Sequence, residues 1–314
     1  MANHNNTAHQ PLNLALLQLA ETGCMPIEEW PDSVWPVGEV ENLGIGYADG
    51  KLTWQDPTPK PLDPKALKQS LSELDLHHFH CIDSTNNFLL EQQNSIHNMV
   101  CTAELQIGGR GRRGKAWVSP YARNIAVSLG RRLSLGISQL GGLSLAVGLG
   151  VATCLQKLGI ANVGLKWPND VFINHAKATG ILVELRQDPA GTEVIIGIGV
   201  NIELDASDKR SIDQLATDVR SQGVTEDRTQ ILIILLLSVI EELERFECEG
   251  FASSIERYNK LHLFHQQACK IIQGNNEIAG TVVSVLEDGA ISLQSESGIQ
   301  HFYGGEVSLR KSVD

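Results

Sequence analysis

The sequence predicts an α+β protein in three parts, and three observations carry that reading. Between about His77 and His265, apolar runs of strand length alternate with longer helical patterns. From Gln267 to Arg310 only short strand-like runs remain. They are cut by turn residues at Gly274-Asn275-Asn276, Asp288-Gly289 and Glu296-Ser297-Gly298, which suits a small barrel of about fifty residues. Ahead of Leu71, one helical pattern and one hairpin pattern flank a proline-broken stretch. The expected divisions are 1–71, 72–265 and 266–314.

The first part opens with a helical pattern from Leu12 to Thr22, with Leu14, Leu17 and Leu19 among its apolar positions. Pro26, Pro31 and Pro36 then stand too close together for two ordinary helices. Gly44 to Ala48 and Lys51 to Trp54 flank Asp49-Gly50, a favoured tight-turn pair, and predict a hairpin. Pro57, Pro59, Pro61 and Pro64 read as a stiff linker.

In the second part, Ser84-Thr85 precede a helical run from Asn86 to Gln93 as N-cap and first turn. Val100 to Gln106 reads as a strand feeding a glycine–arginine loop, and Asn124 to Leu129 as the strand leaving it. Leu140 to Leu158 is a core helix. Val163 to Trp167, Gly180 to Leu185 and Val194 to Ile202 are strands, the last two joined around Asp188-Pro189. Thr225 to Phe246 is an amphipathic helix whose "ILIILLLSVI" segment supplies the buried face, with Glu241, Glu242, Glu244 and Arg245 at its wet end.

Composition narrows the function classes. With 314 residues, 42% of them hydrophobic, the chain can bury a sizeable core, while a net charge of -12 argues against bulk DNA or membrane-surface binding. Met1 to Gln10 is polar, without a secretory pattern. The longest charge-free stretch, Leu133 to Gln156, is broken by glycines and is not expected to span a membrane. The six cysteines are dispersed with no C-x-x-C pair, which fits reduced thiols in a cytoplasmic protein. His77, His78 and His80 have no partner at ligand spacing, so a half-exposed strand is expected there and no protein-held metal.

Arg110, Arg112, Arg113 and Lys115 are interleaved with Gly109, Gly111 and Gly114, and a basic cluster on an acidic chain has an anion to meet. Glycines let the backbone reach φ > 0 and approach a ligand, and arginine forks suit phosphate. A solvated basic loop or an RG-type nucleic-acid tether fits the same composition. In Lys166-Trp167-Pro168-Asn169-Asp170, Pro168 holds Trp167 extended, so the strand should stop with Asn169-Asp170 turning out at its end. Such a turn either carries a ligand or is a plain connection. Lys177 is a single loop lysine ahead of the Gly180 strand. Gly197 and Gly199 inside a strand imply a bulge or a ligand close to the backbone.

Taken together, these residues resemble the biotin–protein ligase family. The matching strings are "DSTN" at Asp83 to Asn86, "GRGRRG" at Gly109 to Gly114, "KWPND" at Lys166 to Asp170, "GILVEL" at Gly180 to Leu185 and "GGEVSLR" at Gly304 to Arg310. Their order and spacing match as well, over roughly His77 to Arg310. The resemblance implies a class II aminoacyl-tRNA synthetase-like mixed-sheet catalytic domain, then an SH3-like barrel, behind a degenerate winged-helix-like N-terminal domain. It implies ATP, as its Mg²⁺ complex, activating biotin to biotinyl-5′-AMP, and transfer to one lysine of a biotin carboxyl carrier protein.

Residue by residue, Ser84, Thr85 and Gln106 resemble the polar contacts to the ureido ring. Asn86, Gly109, Arg110, Gly111, Arg112, Arg113, Gly114 and Gly180 fall in the strings that line biotin and adenylate. Trp117 is similar to the aromatic residue after the loop, and Asn169 and Asp170 to the pair near the nucleotide. Lys177 resembles the lysine that touches carboxylate and then phosphate. Catalysis would fall to Arg112, Lys177 and Asp170, with no covalent enzyme intermediate. Ligand-linked pairing of two copies edge to edge is a family expectation.

Departures stand beside the resemblance. The loop continues as Lys115-Ala116-Trp117 where relatives often have Arg-Lys-Trp, and no tryptophan follows Trp167 to cover adenine, Ala216 or a neighbour occupying that region. Bifunctional members repress transcription through a winged helix-turn-helix. Residues 1–60 of this chain carry only Lys51 and Lys60 against eight carboxylates, so DNA binding is not expected. A biotin-responsive repressor, or a lipoate or octanoyl transferase of the same superfamily, are the alternatives. The latter would not be expected to show the arginine-rich loop.

Overall fold

A leading helix α1 (Gln10–Thr22) buries Leu12, Leu16 and Leu19 and stops where Gly23 turns left-handed at φ 78°. The computed structural model describes residues 9–56, 58–188, 191–274, 276–304 and 307–311. Strands β1 (Cys24–Pro26), β2 (Ile45–Ala48) and β3 (Lys51–Trp54) form a sheet in the order β1-β3-β2. The β2–β3 hairpin turns at Asp49 (φ 51°) and Gly50 (φ 75°), as expected of an Asp-Gly pair. Between β1 and β2 the chain makes only 3₁₀ turns, Ile27–Glu29 and Val37–Leu43, where three prolines forbid longer helices.

Pro64 opens a helix instead of ending a linker. Asp63 caps α2 (Pro64–Ser70), accepting from the Lys65 and Ala66 amides, and a proline at the first helical position loses no hydrogen bond. Leu62, Leu67 and Leu71 join the main core. Pro57 lies outside the described residues.

The central sheet has seven strands in the order β4-β5-β6-β10-β9-β8-β7. They are β4 (Asp75–Ile82), β5 (Met99–Gln106), β6 (Asn124–Leu133), β7 (Val163–Lys166), β8 (Asp170–Ile173), β9 (Ala176–Asp188) and β10 (Gly191–Asn201). Only β4 and β5 run parallel, so the sheet is mixed. Helix α3 (Thr85–Leu90) follows β4 and is shorter than the sequence suggested. The buried helix α4 (Leu143–Lys157) and α6 (Arg228–Glu249) pack together in the core that covers the sheet.

Short helices α5 (Ala206–Ser211) and α7 (Ile255–Leu261) were not foreseen, because neither is long enough to show a period. Nor was β8: Lys166 pairs with Asp170, so Trp167-Pro168-Asn169 is the turn of a hairpin and Asp170 starts a strand. The expected turn at Asp188-Pro189 falls partly on residues outside those described. In β4, His77 stays half-exposed, whereas His78 and His80 are covered, which corrects the half-exposed reading for two of the three.

The last part is an antiparallel sheet in the order β14-β13-β12-β11-β15, from β11 (Ala268–Gln273), β12 (Asn276–Val285), β13 (Ile291–Ser295), β14 (Gly298–Phe302) and β15 (Val307–Lys311). Its Cys269, Ile271, Val282, Val285, Ile291, Leu293, Phe302 and Leu309 are buried and continuous with the main core. Asn275, Gly305 and Glu306, parts of an expected turn and of the "GGEVSLR" string, lie outside the described residues.

Candidate active site

A cavity of about 350 Å³ opens between the basic loop, the ends of β5, β9 and β10, the β7–β8 turn, the segment 211–216 and the C-terminal Leu309-Arg310. Its inner end is polar. Ser84, Thr85 and Asn86 are 2%, 3% and 4% exposed at the start of α3. The Thr85 amide donates to Gln106 Oε1 over 2.9 Å, and Thr85 Oγ1 lies 3.1 Å from the same oxygen. Ser128 Oγ, on β6, stands 2.7 Å from Thr85 Oγ1 and 2.5 Å from Asn86 Oδ1.

The floor is built from glycine, with neither a bulge nor an open gap. Gly199 and Gly180 face each other across β10 and β9, and the Trp117 indole lies on both. A methyl group at Gly199 would stand 2.4 Å from Trp117 Cε2, and one at Gly180 2.8 Å from Cζ3. Gly197 makes room for Asn86 in the same way, its missing methyl falling 2.3 Å from Oδ1.

The basic loop is a narrow hairpin. Arg110 bridges Ala116, the Gly111 amide donates to Lys115 O at 2.6 Å, and Trp117 N donates to Gly109 O at 2.9 Å. Positive φ falls on Arg113 (60°) and Gly114 (70°), so of the three loop glycines only Gly114 is needed for its backbone conformation. Gly109 is needed for closeness, since a methyl there would sit 2.9 Å from Trp117 O. Gly111 comes within 3.4 Å of Lys115 O in the same sense.

The loop's arginines reach in opposite directions. Arg110 forks onto Glu184 of β9 and also donates to Asn87. Arg112 donates through Nη1 to Asn169 Oδ1 at 2.9 Å and through Nη2 to the Gly304 carbonyl of the C-terminal part. Arg113 is exposed at the tip, and Lys115 reaches Asp213 at 3.5 Å on the open rim.

Lys177 is not a solvated loop lysine. It sits within β9, its side chain only 15% exposed, with Nζ 2.7 Å from Asp170 Oδ1 and 5.7 Å from the centre of the Trp117 ring. Its ammonium lies off the line of a good hydrogen bond to that oxygen, so the contact is chiefly ionic. The 211–216 segment is held against it: Lys177 N donates to Leu215 O and Thr217 N to Lys177 O, each at 2.9 Å. Ile212, Gln214 and Ala216 of this segment line the cavity in the region expected to cover adenine. Asn169 is fixed by donating to Ile181 O at 2.7 Å.

The residues that the resemblance assigns to the site line this cavity, apart from Gly109 and Gly114, which lie in the basic loop beside it. Sequence reading missed Ser128 and Asn87, and noted Glu184 and Arg310 only within their strings. Lys166 was noted only within its string, yet it lines the cavity, and burial first, then the Arg310 guanidinium, press its ammonium below the usual 10.5.

The Biotin/lipoate A/B protein ligase family model matches residues 78–201, and the Biotin protein ligase C terminal domain model matches residues 264–310. The chain is also 35% identical over 283 residues to the Bifunctional ligase/repressor BirA of Escherichia coli strain K12, covering 88% of this chain and 85% of that one. This chain belongs to the biotin protein ligase family. A Biotin–[acetyl-CoA-carboxylase] ligase of Mycobacterium tuberculosis is 34% identical over 200 residues, 59% of this chain and 72% of that one. Among solved structures, the biotin protein ligase from Aquifex aeolicus in complex with biotin and ATP superposes with a TM-score of 0.66 at 30% identity. It covers 76% of this chain and 99% of that one. The protein is a biotin ligase, with the mixed catalytic sheet and antiparallel C-terminal domain of that family.

Proposed function

We propose that the cavity condenses biotin with ATP, supplied as its Mg²⁺ complex, to biotinyl-5′-AMP, and then passes the biotinyl group to one lysine of a biotin carboxyl carrier protein. The observation that carries this reading is the Lys177 ammonium, buried beside Asp170 and under Trp117 between a polar pocket and an arginine loop. The polar end offers Thr85 and Gln106 to a ureido ring, and the glycine floor and Trp117 flank the rest of the ligand.

In the first step the biotin carboxylate attacks the α-phosphorus of ATP and pyrophosphate leaves. Two anions must meet, and charge grows on the phosphoryl oxygens. Arg112 and Lys177 offset it from fixed positions, which is electrostatic preorganisation. In the second step the acceptor lysine attacks the acyl carbon and AMP leaves. An amine of pKa about 10.4 must first lose its proton, at about 4.6 kcal/mol at pH 7. Asp170, which lines the same cavity, takes that proton.

The N-terminal part does not read DNA in this proposal. Its charge is against it, and two 3₁₀ turns stand where a recognition helix would be needed. The location is cytoplasmic, and no helix among the described residues is long and apolar enough to cross a membrane.

The test is pyrophosphate release from biotin and Mg-ATP, followed by label transfer to a carrier domain. Lys177→Ala should slow adenylation at least a hundredfold, on the order of 3 kcal/mol of lost transition-state stabilisation. Full activity in that variant refutes the role, and no pyrophosphate from the wild type refutes the function. A biotin- and ATP-dependent mobility shift on operator DNA would refute the claim about the N-terminal part.

A further inference from the structure

One carboxylate outside these roles ties the loop to the polar end of the cavity. Glu184 meets Arg110 in a two-point fork, with Nη1 to Oε1 at 3.1 Å and Nη2 to Oε2 at 2.9 Å. The same Nη2 donates to Asn87 Oδ1 at 2.7 Å. On its other side, Glu184 Oε2 accepts from Asn86 Nδ2 at 2.7 Å.

Donor counting then gives the inner network a direction. An ionised carboxylate only accepts, so the Asn86 amide must turn its nitrogen to Glu184 and its oxygen to Ser128. The 2.5 Å contact between Ser128 Oγ and Asn86 Oδ1 therefore carries the serine's one hydrogen. At the 2.7 Å contact between Ser128 and Thr85 the serine can then only accept, so the Thr85 hydrogen turns to Ser128 Oγ or to Gln106 Oε1, 3.1 Å away. With that hydrogen engaged inside the network, Thr85 Oγ1 presents lone pairs to the cavity. Gly197 permits all this, because any side chain there would displace Asn86.

We propose that Glu184 is a positioning residue for biotin binding: it latches the basic loop through Arg110 and, through Asn86 and Ser128, fixes the orientation of the Thr85 hydroxyl. This rests on the reading of the cavity as the biotin site. It also divides the loop's cations: the charge of Arg110 is committed to Glu184, so the reacting anion is served by Arg112 and Lys177.

The experiment is steady-state pyrophosphate release with biotin and ATP varied separately, for wild type, Glu184→Gln, Arg110→Gln and the double variant, with melting temperatures alongside. Glu184→Gln should raise KM for biotin about tenfold, about 1.4 kcal/mol, with KM for ATP and kcat at saturating biotin within about twofold. The double variant should lose less than the product of the two single losses, because residues acting through one contact are not additive. The Arg110 and Glu184 side chains are 40% and 23% exposed, so melting temperatures should barely move. An unchanged KM for biotin overturns the proposal, as do ATP and biotin constants rising together, fully multiplicative losses, or a large drop in melting temperature. A wild-type protein that ignores biotin removes the reading beneath it as well, and that outcome is visible before any variant is compared.

Discussion

Gly199 pairs with Gly180 across β10 and β9, and the Trp117 indole rests on the flat patch they leave. In Gly199→Ala, the new methyl would stand 2.4 Å from Cε2 and 2.6 Å from Cζ2 and Nε1 of the ring. Ordinary contact begins near 3.4 Å, so the ring must lift by about 1 Å. The strand cannot yield, being hydrogen-bonded on both sides, but Trp117 is only half-buried at the end of a loop and can. Stability should therefore fall by less than the ~1–3 kcal/mol typical of overpacking, a shift of a few degrees at most.

Function should suffer more. Trp117 N is bonded to Gly109 O, and Lys177 lies under the ring, so a lifted indole carries the loop away from the ammonium. A displacement of about 1 Å can cost on the order of a hundredfold in a step that depends on placement. The assay is kcat/KM for adenylate formation with calorimetric melting, using Gly148→Ala as control. A methyl at Gly148 meets Leu165 at an ordinary 3.6 Å. Wild-type kcat/KM in Gly199→Ala would refute the platform, and so would a melting loss of more than about 10 °C, which would mean that the strand moved instead.

Glu104→Gln should destabilise the protein by about 3–5 kcal/mol in urea unfolding, because it strands the Arg228 guanidinium, 2.7 Å away and buried; a change under 1 kcal/mol would contradict that. Burial lowers His80 to about 4 and His262 to about 3 from the ordinary 6.5, with the neighbouring His78 and His265 adding to it. Both are held neutral in the fold while the unfolded chain protonates near pH 6.5. Their contribution is therefore complete above that pH and shrinks as pH falls toward 4, by up to about 1.4 kcal/mol per unit for each histidine. Urea midpoints that stay flat from pH 7 to pH 5 would count against it. A chain shortened to begin at Thr58 should lose hydrogen-exchange protection at the His80 and Cys81 amides and self-associate; a monodisperse product with both amides still protected contradicts this.

Elements with a local cause were legible. The Asp-Gly hairpin, the proline-broken stretch and the turn-punctuated C-terminal strands each follow from residues within a few positions of one another. So were the strings that hold Thr85, Arg112 and Asp170, since order along the chain is what a resemblance reads. The contacts that make them a site were not legible. Glu184 and Arg110 lie 74 positions apart, and Ser128 sits 42 from Asn86. Alternation marks Gly197 and Gly199 as unusual in a strand, but only the folded loop shows that an amide and an indole fill the space. Burial of His78 and His80 likewise depends on a neighbour, because the N-terminal part comes over β4 and Tyr121 bonds His80 Nδ1 at 2.7 Å.

That neighbour gives the leading helix and the hairpin a structural role of their own. β4 lies at the end of the central sheet, and an uncovered edge strand offers unpaired amides to any other chain. Asn13 of α1 covers part of that edge, its Oδ1 accepting from the His80 amide at 2.7 Å and the Cys81 amide at 2.9 Å. Trp54 of β3 stacks on Tyr121 at 5.0 Å while its Nε1 donates to Leu19 O, so helix, hairpin and catalytic part close on one another. Cys81, Leu105, Tyr121 and Ala122 share a core with Leu12, Leu16, Leu19 and Leu52. A unit held in this way cannot be lost without exposing apolar surface and a strand edge together.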